Sequence, residues 1–226
     1  MNRRSPARPA AAATAGQEPA RRRRPRSDAV ASRRALLDAV RGLLAERPWD
    51  PRVPEEPFEL PRLAERAGVS VATAYRHFAD AEAAREACHR ELVEALFEEI
   101  GTETGPESGT ARERYHRACA LWVRRAAEYA PAAVRPRDRY GLIARLAAGD
   151  ALAALVRDRL GALITALAAE GELPPSVPVD YAVLLWCTLF DERLFCDLLL
   201  TEGWSDRRVT DHLSTALLAA LRSTPD

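Results

Sequence analysis

Two Glu-x-x-His pairs, Glu86-Ala-Cys-His89 and Glu113-Arg-Tyr-His116, have the residue types and spacing to coordinate a metal. Residues three apart share one face of a helix, and such pairs on two helices are the ligand type of a di-iron carboxylate bundle. The site would need a further Glu from each of two other helices, for which Glu98, Glu170 or Glu192 are available. Against this reading, so short a motif arises by chance in a Glu-rich chain. Other catalysis is poorly served. All 33 basic residues are arginine, so the chain lacks a Walker A lysine, a Schiff-base lysine and a lysine general base. No G-x-S-x-G, H-E-x-x-H or glycine-rich phosphate loop occurs. We expect no enzyme, no cofactor and no metal.

A second set, Ala72, Tyr75 and Arg76, is placed to enter a nucleic-acid groove. The elements that must position it lie between Leu60 and Phe78, which read as two short helices joined by a tight turn, a helix-turn-helix. Leu63, Ala64 and Ala67 form the inner face of the first helix, and Ala64 is small enough for the second to cross closely. Gly68 stands where the backbone needs a positive φ, Val69 plugs the gap between the helices, and Ser70 can cap the next helix. On that helix Ala74 and Phe78 fall on one side with Val71 at its edge, whereas Ala72, Tyr75 and Arg76 point away.

The stretch resembles the DNA-binding domain of the TetR family of bacterial transcriptional regulators. The match is carried by Leu63, Ala64, Ala67, Gly68, Val69, Ser70, Thr73, Tyr75, His77 and Phe78, and extends to the preceding helix, Ser32 to Arg47, and the start of the next. The resemblance implies that Val71, Ala72 and Tyr75 approach bases while Ser70, Thr73, Arg76 and His77 lie nearer phosphates. From its chemistry alone Arg76 can equally fork onto a guanine. Two features depart from the pattern: the link between the first two helices is long and proline-rich, Pro48 to Pro57, and Ala81 stands where the family carries a phosphate-binding lysine.

Zero net charge conceals an asymmetry. Residues 1–34 hold ten arginines against Glu18 and Asp28, a balance of +8 that the rest of the chain cancels. Residues 1–27, rich in Ala, Pro and Arg and without apolar periodicity, read as a disordered arm. Arg21 to Arg24 with Arg26 is either a solvated tail or a DNA-tracking segment. Cys88, Cys119, Cys187 and Cys196 show no metal spacing and read as reduced, packed thiols. With no secretory leader and no apolar run long enough to span a bilayer, the expected protein is soluble, cytoplasmic and free of membrane partners.

After the helix-turn-helix the periodicity predicts helices over Glu82–Ile100, Ala111–Tyr129, Arg139–Ala147, Ala151–Glu170, Val179–Glu202 and Asp206–Leu221, broken by Gly and Pro. The expected fold is all-α with about nine helices: the arm, a three-helix DNA-binding domain over 28–82, and a helical effector-binding and dimerisation domain over 83–226. Val179–Glu202 is apolar on more than one face, so with Val209, Leu213, Leu217 and Leu221 it predicts half of a four-helix bundle completed by a second subunit. Leu184, Leu194, Leu198, Leu213 and Leu217 are the expected interface centre. The resemblance also implies an effector pocket, for which Tyr115, His116, Cys119, Trp122, Trp186, Phe190 and Arg193 stand at compatible spacings, although aromatics so placed equally serve a core. The expected function is a homodimeric repressor that binds a near-palindromic double-stranded DNA operator and is released by a small-molecule effector.

Overall fold

Leu36, Leu37, Val40, Leu43 and Leu44 recur at helical spacing and are all buried, which gives the first helix, α1 (Pro25–Ala45), a continuous apolar stripe. The computed structural model describes residues 25–46, 59–133 and 140–223, with side chains over 28–46, 59–126 and 140–223. The expected disorder of the arm, except where α1 reaches into it at Pro25, and the proline-rich link therefore lie outside the described residues. α1 starts earlier than its apolar stripe predicts. Its first turns, with Val30 68% exposed, have no buried face to announce them, but Asp28 suits the positive end of the helix dipole.

The other helices are α2 (Leu60–Arg66), α3 (Val71–His77), α4 (Ala81–Glu103), α5 (Ala111–Ala133), α6 (Leu142–Ala147), α7 (Ala151–Ala169), α8 (Val179–Leu189), α9 (Glu192–Phe195) and α10 (Asp206–Arg222). A short 3-10 turn, Pro106–Ser108, links α4 to α5, and the described residues contain no strand. With the interrupted stretch through α8 and α9 counted once, nine helices are present among the described residues, and the fold is all-α as expected. α5 runs through Pro131, where the sequence reading placed a break.

The largest correction concerns the stretch predicted as one helix over Val179–Glu202. It stops at Leu189, Phe190 leaves helical geometry at φ −100° and ψ 38°, and Asp191 restarts the chain by accepting a hydrogen bond from the Arg193 amide at 3.0 Å. The helix then widens to a π-helix over Cys196–Thr201. The cause is an aromatic cluster: Phe190 packs on Trp122 at 5.4 Å, Trp186 at 6.1 Å and Phe195 at 5.8 Å between ring centroids. The bend turns Phe190 and Phe195 both inward. Apolarity on several faces, expected to require a partner, is thus largely satisfied within the subunit.

α4 packs on α1, α5 and α7, and α5 on α1, α7 and α10, so the N-terminal helices and the C-terminal helices share one buried core. Leu217 is fully buried and Leu213 nearly so, while Leu184, Leu194 and Leu198 are half-buried. Leu213 and Leu217 therefore belong to the subunit's own core and cannot centre an interface. Among the described residues no helix is long and apolar enough to cross a membrane.

Candidate functional site

The turn between α2 and α3 is built by local rules. Gly68 adopts φ +66°, its amide bonds the Glu65 carbonyl at 3.1 Å, and the Val69 amide reaches Ala64 O at 3.0 Å, which closes α2. Ser70 caps α3: its Oγ accepts from the Thr73 amide at 3.1 Å and is hydrogen-bonded to Thr73 Oγ1 at 2.8 Å. Ala64 and Ala74 are fully buried where α2 and α3 pack, and Phe78 is 6% exposed at the foot of α3. Arg66 ties α2 back to α1 through Glu46 at 2.9 Å.

The opposite face is free. Val71 and Tyr75 are 42% and 55% exposed, Ala72 and Arg76 are exposed, and Arg76 has no partner among the described residues. Thr73 and His77 are half-buried, the His77 ring lying 6.4 Å from Phe78. The seven residues expected to meet DNA thus sit on one capped helix, although the Ser70 and Thr73 hydroxyls already engage each other. Ala81 is buried as the first residue of α4, whose cap is Asp80, so it offers no phosphate contact.

Behind this domain lies an open cleft of about 600 Å³, bounded by α1, α4, α5, α6, α7 and the α8–α9 bend. Of the expected pocket residues, Trp122, Phe190 and Arg193 line it. Tyr115, Cys119 and Trp186 do not. They are buried in the core, where the Tyr115 hydroxyl donates to Ser214 O at 2.7 Å and its ring meets Trp186 at 4.9 Å. His116 lies outside the cleft, exposed, 3.1 Å from Asp211 Oδ1. Sequence reasoning missed the α4 wall, a stripe of Glu82, Glu86, His89, Val93 and Phe97. The available signal was this three- and four-residue spacing with charge at one end and apolar groups at the other.

The metal reading fails on this geometry. Glu86 and His89 face the cleft, but Glu113 belongs to a capping box in which its Oε2 accepts from the Thr110 amide at 2.9 Å. Glu98 pairs with Arg159 at 2.9 Å and Glu170 accepts from the Ala111 amide at 2.8 Å, so of the three carboxylates that could be recruited only Glu192 stays near a pair, 3.9 Å from His89 Nε2. Among the described residues no three His, Cys, Asp or Glu side chains stand where they could hold a metal ion. The four cysteines are free, and burial pushes the Cys187 and Cys196 thiols up to about 12.

One rim of the cleft is an electrostatic corner. Asp150 caps α7, its Oδ1 accepting from the Leu152 and Ala153 amides at 2.9 and 3.0 Å, while Arg145 and Arg90 approach it at 3.1 and 3.6 Å. Burial alone would raise this carboxyl, but the Ala153 amide and the two guanidiniums outweigh it and hold the pKa at about 2. A depressed folded pKa stabilises the protein above the ordinary value of 3.8, and the effect is lost as pH falls towards 2. Asp150→Ala should therefore cost about 1–2 kcal/mol in urea unfolding near neutral pH, and the gap from wild type should close below about pH 4. A gap that persisted at low pH would contradict an ionic cap.

No family model matches the sequence, and no curated protein matches it. Solved structures do resemble the fold. The fatty acid degradation regulator FadR of Bacillus halodurans superposes with a TM-score of 0.63 at 16% identity, covering 84% of this chain and 96% of that one. FadR of Bacillus subtilis, solved in complex with stearoyl-CoA, gives 0.60 at 17% identity over 85% and 99%. A TetR-family regulator from Pectobacterium atrosepticum gives 0.57 at 18% over 90% and 100%. The chain has the fold of the TetR-type transcriptional regulators.

Proposed function

We propose that this protein is a homodimeric, DNA-binding transcriptional regulator of the TetR type, a repressor of a near-palindromic operator that a small molecule releases. The reading rests on one observation: a helix capped by Ser70 and anchored by Ala74 and Phe78 presents Val71, Ala72, Tyr75 and Arg76 outward on a surface that no other described residue covers. Val71, Ala72 and Tyr75 meet base edges in the major groove, while Arg76 and His77 hold phosphate. The arginine arm adds phosphate contacts in place of the one missing at Ala81. Two copies read successive major grooves about 34 to 36 Å apart. The two-fold contact uses the outer faces of α8 and α10, where Tyr181, Thr215, Ala216, Ala219 and Ala220 are exposed beside the half-buried Leu184 and Leu185.

The cleft is the effector site, and Arg33 connects it to the reading helix. Arg33 lines the cleft from α1, stacks over the Phe78 ring at 5.2 Å and reaches Glu91 on α4 at 3.5 Å. A ligand that moves Arg33 or the first turns of α4 therefore bears on the foot of α3. Release requires that the ligand bind the two states with different affinity.

Sequencing the DNA that the full-length protein retains from a genomic pool tests the proposal and supplies the operator. On that operator Arg76→Ala should weaken binding evenly across sequences and reduce the slope of log K against log salt by about one. Altered preference at a single base pair would assign Arg76 to a guanine instead, and recovery of no preferred sequence would overturn the proposal.

A further inference from the structure

We infer that the cleft takes an amphipathic anion, a medium-length apolar body carrying one carboxylate or phosphate, with the acid on Arg90 and the apolar end against Phe97, Trp122 and Phe190. The inference deepens the effector reading above and rests on it.

The α4 wall is graded. Its cleft-facing side passes from His89 and Arg90 to Val93 and then Phe97, which packs edge-on against Trp122 at 5.2 Å. Val156 of α7 and Phe190 close the apolar end. From Arg90 to Phe97 the helix rises about 10 Å, so a ligand lying along it must be polar at one end and apolar over roughly that length.

The sign of the polar end follows from what is already paired. Five arginines line the cleft against four carboxylates. Glu82 is held by Arg85 at 2.9 Å, and Asp191 caps α9. Glu192 lies 3.9 Å from His89 Nε2, too far for a hydrogen bond, and Glu86 is exposed one turn before Arg90. Arg90 approaches Asp150 only at 3.6 Å, beyond hydrogen-bond reach, and that carboxylate already serves Arg145 and two α7 amides. Its guanidinium is left half-exposed with its donors open towards the cleft. His89 Nε2, also in the wall, is buried without a hydrogen-bond partner. A planar fork beside an imidazole suits a carboxylate or a phosphate, and a cationic head there would meet like charge.

The test titrates the full-length protein calorimetrically with decanoate, decyl phosphate, decyltrimethylammonium and decanol, and measures operator binding in parallel. One or both anions should saturate a single site and decanol should bind about tenfold more weakly or worse, the scale of one charge-assisted bond. Which anion binds tighter separates a carboxylate from a phosphate head. Arg90→Gln, an exposed change whose folding is checked by circular dichroism, should bring the acid's affinity down to that of decanol and leave decanol unchanged. Tighter binding of decyltrimethylammonium, or an undiminished preference for acid in Arg90→Gln, would overturn the inference. Anion binding with unaltered operator affinity would uphold the ligand class and refute effector release. Operator binding without anion binding would overturn the ligand class and leave the DNA-binding reading standing.

Discussion

Ala216→Arg should give a helical monomer whose operator affinity falls by about 10²- to 10⁴-fold, the usual margin between one tethered site and two. Ala216 lies on the outer face of α10 with Thr215, Ala219 and Ala220, all exposed in the subunit, while Leu213, Leu217 and Leu221 on the opposite face are buried. A long cation at this position costs the isolated subunit little, because Ala216 is exposed among the described residues. Across a close two-fold contact the same cation meets its own symmetry mate, and burial without a partner is expensive. Leu217→Glu is the contrasting variant. Its side chain is fully buried, so it should lose helicity as well as dimerisation. Light scattering and circular dichroism separate the two outcomes. An Ala216→Arg protein that remained dimeric at micromolar concentration would remove α10 from the interface, and a wild type that is monomeric yet binds a half-site tightly would remove the dimer altogether.

Ala64→Leu should destabilise the protein by about 1 to 3 kcal/mol, lowering Tm by about 2 to 4 °C per kcal/mol for a chain of this size. Operator binding should fall well beyond what that loss of stability explains. Ala64 and Ala74 are both 0% exposed where α2 and α3 pack, and the Ala64 carbonyl accepts from Val69 in the turn. Three further carbons have nowhere to go except by pushing α3 outward, which carries Tyr75 and Arg76 out of register with the groove. The conservative comparison is Ala64→Ser, which adds one atom and should bind operator more nearly as wild type does. Equal operator affinity for Ala64→Leu and wild type would show that the helix crossing does not position the reading face.

Where a structure-forming signal is local, it was legible in the sequence. Gly68 announced a positive φ and Ser70 announced the start of α3, and both form. The outward set on α3 followed from a wheel anchored by Ala74 and Phe78. The start of α1 was misread for the complementary reason, since residues 28–31 carry no buried stripe, and Pro131 does not end α5. Of the cleft lining only Trp122, Phe190 and Arg193 were found, because one helix's periodicity marks an inward face without saying whether the inside is solid or hollow. Tyr115, Cys119 and Trp186 lie on such faces and meet core, whereas His89 and Arg90 line the cleft.

The sequence by itself determined the all-α class, the helix-turn-helix and the residues it presents, since these depend on interactions within a few residues: caps, a glycine turn and apolar spacing. Only the tertiary structure decided the break at Phe190, the inward placement of Leu213 and Leu217, the dispersal of the Glu-x-x-His pairs, and the union of Arg33, Arg90, Trp122 and Phe190 around one cleft. Each of these depends on which faces of separate helices meet, and packing at that distance in sequence leaves no local mark on the residues that take part.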